Sequence, residues 1–284
     1  MCKGWRSATL LLLGPVFLGL RPIPANSQQL EVGAGANTLT YVDLVDLADS
    51  SQIVLLAQVQ KIVRVENKRA PGLEPGWGRF YITARTTALL SGESPIGESL
   101  AYLADLRLDE RGKPPKLKKM QVLLFARSVP GRPGEIQLVA RDGQLLYDPE
   151  IESRTREVLT QLVAGDRPPT ITGVREMIHV PGNLAGEGET QIFLGTEDRS
   201  AASITVRHYP GGGTAWGASF SELLADVGHP PKPGTLAWYK LACSLPNALP
   251  RGVNFSETPK ARKQAEADYR LVLGELGPCR RNRK

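Results

Sequence analysis

The sequence predicts an α+β protein, mainly β structure with helices, in which a five-stranded antiparallel barrel is followed by a smaller α+β module. Five stretches with strand periodicity lie between residues 52 and 140, separated by Gly- and Pro-rich connections, and helical patterns flank them. A long first strand and four shorter ones favour a closed or partly closed barrel. A polar segment with a double proline then introduces a second block of three strands and three helices.

The first block begins with a short helix, because Thr40 can cap it and Asp43 can complete a capping box. Residues 52–66 then alternate with period two, which predicts a long half-buried strand with Lys61 as the only exception on its apolar face. That face comprises Ile53, Leu55, Ala57, Val59, Val63 and Val65. Further strands are predicted at 80–90, 100–108, 120–127 and 135–140, and a helix at 149–163.

The predicted boundary lies at the segment 166–169, since Pro168 and Pro169 cannot continue a helix. This gives domains at 28–165 and 166–284 after an N-terminal segment at 1–27. In the second domain, strands are expected at 170–180, 190–195 and 202–209, and helices at 219–227, 235–245 and 258–276.

Residues 1–27 have the pattern of a signal peptide. Lys3 and Arg6 precede an apolar run over 8–20, and small residues follow at 25–27. The run is shorter than the roughly 20 residues that a membrane span needs. We therefore expect a periplasmic or secreted protein without a transmembrane segment in the mature chain; a retained anchor is the alternative.

Loss of that peptide would remove three cations and lower the formal net charge from +6 to +3. Four more cations lie at the C-terminus, and without them the remainder carries −1. No global field would then attract nucleic acid, so no nucleic-acid partner is expected. Cys2 would also leave, and the remaining pair, Cys243 and Cys279, predicts a disulfide; the alternative is a buried, reduced Cys243.

Two resemblances add to this interpretation. The runs 47–59 (LADSSQIVLLAQV) and 89–93 (LLSGE), with the strands around them, resemble the OB-type barrel of netrin and tissue-inhibitor modules. This implies an OB-like fold for the first block, although the N-terminal cysteine framework of those modules is absent here. The runs 188–194 (GETQIFL) and 236–243 (LAWYKLAC) are similar to uncharacterised secreted proteins of Gram-negative bacteria, which implies a compartment and no activity.

Familiar catalytic motifs are absent from the sequence. It contains no H-E-x-x-H, G-x-S-x-G, S-x-x-K or phosphate-binding glycine pattern, and no catalytic residue, metal site or cofactor is predicted. Zinc binding would need His179, His208 and His229 to converge from separate elements. An envelope hydrolase with a non-contiguous site at His179, His208 and nearby acids stays open as an alternative.

The candidate binding residues are loop aromatics and a basic loop. Trp77 lies in a Gly- and Pro-rich connection, and Trp216 follows three glycines. Both could contact a ligand or cap the open end of a barrel. The loop cations Lys113, Lys116, Lys118 and Lys119 could orient an anionic group or form a solvated hairpin tip. The sequence thus predicts a non-enzymatic binding or accessory module with a protein or glycan partner in the cell envelope.

Overall fold

A computed structural model describes residues 39–92, 97–222, 227 and 229–283. The predicted signal peptide at 1–27 lies outside the described residues. In chain order the elements are α1 (Tyr41–Asp49), β1 (Ile53–Arg64), β2 (Trp77–Ser91), β3 (Ser99–Arg107), β4 (Gln121–Ser128), β5 (Ile136–Leu138), β6 (Gln144–Leu146), α2 (Pro149–Val163), β7 (Ile171–Pro181), β8 (Gly188–Thr196), β9 (Ser203–His208), β10 (Thr214–Ser219), α3 (Leu236–Ala242) and α4 (Pro259–Leu276).

The first sheet is antiparallel, with strand order β3-β2-β1-β4-β5 and β6 paired to β4. Its two edge strands, β3 and β5, meet at an isolated parallel bridge between Ala101 and Glu135. The α+β class is therefore confirmed, but a closed five-stranded barrel is not, because the sheet stays open. The physical reason is the length of β5, whose three residues are too few to pair along the nine residues of β3.

The first half of β1 is buried on both faces. Ile53, Leu55 and Ala57 contribute to one apolar core with β2, β3 and β4, whereas Val54 and Leu56 pack against α1 and α2. Burial on two faces explains why this half reads as a continuous apolar run, although the alternation predicted a half-buried strand.

A β-bulge then reverses the faces of β1. The pairing with β2 passes from Val59–Ala84 to Lys61–Thr83, so Gln60 is an extra residue. Ile62 consequently packs against the core, and Val63, predicted on the buried face, is 43% exposed. The exception at Lys61 in the sequence pattern marks this change of register.

The second sheet is antiparallel, with strand order β10-β9-β8-β7. Met177, Ile192 and Ile204 of its strands share a core with Tyr269 and Val272 of α4. The strand β10 was not predicted. The predicted helix at 219–227 begins at Ser219, which instead ends β10, and residues 223–226 lie outside the described part of the chain.

Helices connect the cores of the two sheets. Tyr41 of α1 and Tyr239 of α3 each pack against both the second-sheet core and the core beneath α1 and α2. The Tyr239 hydroxyl also donates a hydrogen bond to Asp46 at 2.6 Å. The division into domains at 28–165 and 166–284 stays a prediction.

The C-terminal tail is bound to the rest of the described chain. The buried carboxylate of Asp43 accepts the Thr40 amide within the capping box and also the backbone amides of Asn282 and Arg283. Burial alone would raise the pKa of Asp43, but the hydrogen bonds from Thr40, Arg283 and Asn282 outweigh it and hold the pKa below its ordinary value.

Two tail arginines form ion pairs with acids of the first block. Arg281 pairs with Asp46 at 2.6 Å, and Arg283 forms a bidentate pair with Asp142 at 2.6 and 2.7 Å. The hydrogen-bonded Arg283 guanidinium lowers the pKa of the Asp142 carboxyl. The charges of these two tail arginines are therefore neutralised by carboxylates of the same protein.

A disulfide fixes the start of the tail, just beyond α4. The Sγ atoms of Cys243 and Cys279 are 2.14 Å apart, which confirms the predicted pair and joins the end of α3 to the chain just beyond α4. In the described part of the chain, no helix combines the length and the apolar character that crossing a membrane requires.

We expect the double substitution Cys243→Ser, Cys279→Ser to lower the free energy of unfolding by about 4 kcal/mol, because the bond closes a 36-residue separation in the unfolded chain. Urea unfolding measures this difference. Reductant should shift the wild-type transition in the same direction and leave that of the double variant unchanged. Two titratable thiols in the denatured, unreduced wild type would contradict the expectation.

Candidate functional site

The basic loop between β3 and β4 is exposed but anchored. All four lysines predicted as cation contacts have exposed side chains: Lys113, Lys116, Lys118 and Lys119. Leu117 between them is buried in the core of the first sheet, and the Lys119 amide donates to the Val59 carbonyl at 2.8 Å. The loop therefore holds its cations outward from a fixed backbone.

Trp77 is half-buried at the first position of β2. The Arg141 guanidinium lies 5.1 Å from the centre of its ring, and Arg141 pairs with Glu74 at 2.8 Å. One face of the indole is thus covered by a cation of the same protein.

Trp216 is a core residue, and its predicted role as a surface contact is wrong. It lies in β10, is 3% exposed, and its indole N–H donates to Glu275 at 2.6 Å. Pairing of β10 with β9 carries Trp216 into the sheet, where its ring packs in the second core. The position after three glycines suggested a loop only because this strand pairing is not visible locally.

A groove with a volume of 1040 Å³ lies on the first sheet, lined by β1, β2, β3 and the segment 129–141. It contains a row of exposed apolar side chains across three neighbouring strands. Val63 pairs with Tyr81, and Tyr81 pairs with Leu103; they are 43%, 40% and 50% exposed. We call these three residues the apolar ladder. Their continuity distinguishes them from singly scattered surface apolar residues.

Charged residues border the apolar ladder within the groove. Arg79 forms a bidentate pair with Asp105 at 2.7 and 2.9 Å, and Arg132 pairs with Glu135 at 3.2 Å. Arg64 and Arg69 also line the groove; neither is ion-paired with a carboxylate of the described residues, and Arg64 Nη1 donates to the Gly112 carbonyl at 3.4 Å. Glu66 lines the groove too and pairs with Lys68 at 2.8 Å. The groove therefore combines an apolar floor with a border in which arginines outnumber acids.

A second polar cluster lies between the other sheet and α4. Asp268, which is 1% exposed, accepts hydrogen bonds from Thr190 on one oxygen and from Gln264 at 2.9 Å on the other. His208 Nε2 lies 2.9 Å from that second oxygen, and His179 Nδ1 lies 2.8 Å from the Thr190 hydroxyl. The two imidazole centres are 6.1 Å apart, so folding brings together both histidines of the hydrolase alternative.

The hydrogen bonds assign the protons of this network. Because the Thr190 hydroxyl donates to Asp268, it accepts from His179 Nδ1–H, and His179 Nε2 carries the lone pair. In its neutral form, a His208 ring that donates from Nε2 to the carboxylate has Nδ1 left to accept from the Thr214 hydroxyl at 3.1 Å. Burial lowers the pKa of His179 below its ordinary value; Asp268 opposes this shift and His208 adds to it.

The arrangement Thr214–His208–Asp268 therefore has the connectivity of a hydroxyl, a base and an orienting acid. Thr214 is exposed at the start of β10, so its hydroxyl is accessible. Within the described residues, no group of three His, Cys, Asp or Glu side chains has an arrangement that could hold a metal ion.

Comparison with known proteins adds little. No family model and no curated protein matches the chain. Among solved structures, the wild-type single-stranded DNA-binding protein from Thermus aquaticus matches at 9% identity, over 64% of this chain and 94% of its own, with a TM-score of 0.17. A likeness at that score supports no argument about fold or function.

Sequence reasoning missed the apolar ladder and Asp268. The ladder depends on the bulge after Val59 and on pairing between three strands. Asp268 could have been noticed in the sequence, because it occupies the apolar stripe of α4 between Ala265 and Val272. A carboxylate on such a stripe needs polar partners, and these come from β8 and β9.

We expect His179 to titrate below its ordinary pKa and to weaken folding in acid. The unfolded chain then binds a proton that the folded chain excludes, so the free energy of unfolding falls as the pH is lowered from about 6.5. Histidine NMR titration measures the pKa. Urea unfolding at pH 7.5 and 5.5 measures the stability. In His179→Asn, whose side-chain amide can replace the Nδ1 donor, the pH dependence should be smaller; an unchanged dependence would contradict this assignment.

Proposed function

We propose that the protein is a non-enzymatic binding or accessory module of the cell envelope and that it binds its ligand on the apolar ladder. The observation that carries the proposal is the continuous exposed row Val63–Tyr81–Leu103 within a groove. Leaving such a row in water costs free energy that a ligand would recover by covering it. Arg64 and Arg69 beside it favour a ligand with negative charge.

In this proposal the first sheet acts as an incompletely closed OB-like barrel. Its strand order and the bridge between β3 and β5 support that interpretation. The partner is a protein or glycan of the envelope, with no cofactor. The disulfide supports a periplasmic or secreted location, because such bonds persist in oxidising compartments.

The lysine loop has a secondary role in the proposal. Its cations would orient an anionic partner at longer range, while the apolar ladder supplies contact area. Trp77 would act through Arg141, which it holds at the edge of the groove by stacking.

The triple variant Val63→Thr, Tyr81→Thr, Leu103→Thr should bind envelope material about tenfold more weakly than wild type, because it removes the apolar contact but keeps strand-forming residues. Binding is measured with purified murein sacculi as the glycan probe and with detergent-extracted envelope proteins as the protein probe.

A matched control changes the same residue types at exposed positions outside the groove: Val180→Thr, Tyr209→Thr and Leu146→Thr. The control should bind as wild type does. Equal retention of the two triple variants on both probes would refute the apolar ladder as the binding surface.

An envelope hydrolase is the second candidate function, favoured by the Thr214–His208–Asp268 geometry. The Thr214 oxygen would attack an acyl carbonyl while His208 Nδ1 takes its proton. His208 would return that proton to the leaving group, and water would then release the acyl group from Thr214. The same network also satisfies a buried carboxylate internally, which is a sufficient structural reason for it to exist.

If the hydrolase function is correct, a β-lactone probe labels Thr214 and the protein hydrolyses p-nitrophenyl acetate. Thr214→Ala should then lower hydrolysis by about 100-fold or more. Thr172→Ala, an exposed threonine on β7, is the matched control and should retain the wild-type rate. Absence of labelling in the wild-type protein would reject this candidate.

A further inference from the structure

The face of the first sheet that carries the apolar ladder is open to solvent across three strands. On β1, Lys61 and Val63 point to this face, because Ile62 between them packs into the core. The pairing register places Lys61 beside Thr83 of β2 and the apolar ladder in the next row of the same face. The three ladder side chains are between 40% and 50% exposed, so no described element covers them.

The charges of this face favour an acidic partner. Lys61 lies on one side of the apolar ladder, and Arg107 lies on the other side, two rows away on β3. Both side chains are exposed, and neither forms an ion pair among the described residues. Asp105, the acid between the ladder and Arg107, is already paired with Arg79 at 2.7 Å. The face therefore presents positive charge on both sides of an apolar row.

The face offers side chains to a partner and few backbone groups. Strands β1 and β2 are interior strands of the sheet, and β5 lies close alongside the outer edge of β3. A chain bound on this face therefore gains little backbone hydrogen bonding from the sheet. This favours a segment whose own amides and carbonyls are already paired with one another, as they are in an α-helix.

The composition of the apolar ladder favours a protein over a glycan. Val63 and Leu103 are aliphatic, and a sugar surface rich in hydroxyl groups would leave them without apolar contact. Tyr81 supplies one aromatic ring between them. The nearby ring of Trp77 is stacked with Arg141, so its covered side is closed to a second ring.

The spacing of the apolar ladder matches one side of a helix. Neighbouring strands lie about 4.8 Å apart, so three side chains on adjacent strands span roughly 10 Å. In an α-helix, residues i, i+3 and i+7 lie on one side and also span about 10 Å. A helix that crosses the three strands therefore places one apolar residue on each position of the ladder.

We propose that an amphipathic α-helix of a partner protein, with acidic residues beside its apolar stripe, docks across β1, β2 and β3 on the apolar ladder. This inference rests on the proposed function and names the class of its ligand. The apolar stripe of the helix covers the ladder, and its acids pair with Lys61 and Arg107. Two copies of this face do not fit each other, because they would bring like charges together.

The first test uses a helix that is formed before it binds. The probe is a hydrocarbon-stapled peptide of alanine and glutamate with three leucines at positions i, i+3 and i+7. Its addition should shift the methyl NMR signals of Val63 and Leu103 in a saturable way. The methyl signals of Leu146 and Val180, which are exposed outside the groove, should stay unchanged. No shift of the Val63 and Leu103 signals at millimolar peptide would overturn the inference.

Two control peptides separate a helical stripe from apolar content and from an extended conformation. One keeps the composition and the staple but distributes the three leucines around the helix. The other keeps the leucine positions but lacks the staple and has prolines in place of two alanines. Each should bind about tenfold more weakly than the probe. Binding of either control as tight as that of the probe would overturn a docked helix.

A charge exchange tests the border of the ladder. The double variant Lys61→Glu, Arg107→Glu should bind the glutamate probe about fivefold more weakly than wild type, and a peptide with lysine in place of glutamate about fivefold more tightly. The matched control Lys260→Glu, Arg270→Glu reverses the same residue types at exposed positions of α4 and should bind both peptides as wild type does. Equal effects of the two double variants would make net charge the cause and would overturn the assigned contacts.

The outcomes separate this inference from the proposed function. If the triple variant of the ladder loses envelope binding while the stapled probe leaves the wild-type ladder signals unchanged, the surface is correct and the helix is wrong. Ladder-dependent binding to murein sacculi without binding of the probe would identify a glycan as the ligand. Ladder signals that shift with protein concentration alone would identify a second copy, and both results overturn the inference. If both triple variants retain envelope binding equally, the proposed function itself fails.

Discussion

The contact on which the rest of the structure depends is the carboxylate of Asp43, because it joins the two ends of the described chain. It closes the capping box of α1 and accepts the amides of Asn282 and Arg283. Helix α1 packs Leu44 and Leu47 beneath the first sheet and Val42 in the core of the second. Since the disulfide fixes the start of the tail to α3, this carboxylate holds the far end of the tail on α1, the helix that packs against both cores.

Most helices and strands could be predicted because their signals are local. Thr40 and Asp43 form the expected capping box, and α2 occupies the predicted residues 149–163. The faces of β1 could be predicted only as far as Val59. Beyond it the side that each residue faces depends on an extra residue opposite β2, and that pairing leaves no local signal except a lysine out of phase.

A candidate site could be predicted from the sequence only where it does not depend on which strands pair. Counting cysteines was sufficient for the disulfide once Cys2 was assigned to the predicted signal peptide, because a single possible pair was then left. Trp216 was misplaced because only its pairing with β9 shows that it enters the core. The histidine network joins the consecutive strands β7, β8 and β9 to α4, which lies much further along the chain, so Asp268 cannot be matched to the histidines by spacing.

The open sheet and the apolar ladder lie at the same place, but each has its own structural origin. A longer β5 would pair with β3 beyond Ala101, close the predicted barrel and fill the space that the groove now occupies. Proteins commonly protect sheet edges with charges, prolines, bulges or covering segments. Here the bulge in β1 has the opposite effect, because it turns Val63 outward beside Tyr81 and Leu103. The incomplete pairing between β3 and β5 and the apolar row therefore arise at the same place from two independent features of the backbone. Their coincidence is the physical reason to regard this face, rather than the lysine loop alone, as the one shaped for a partner.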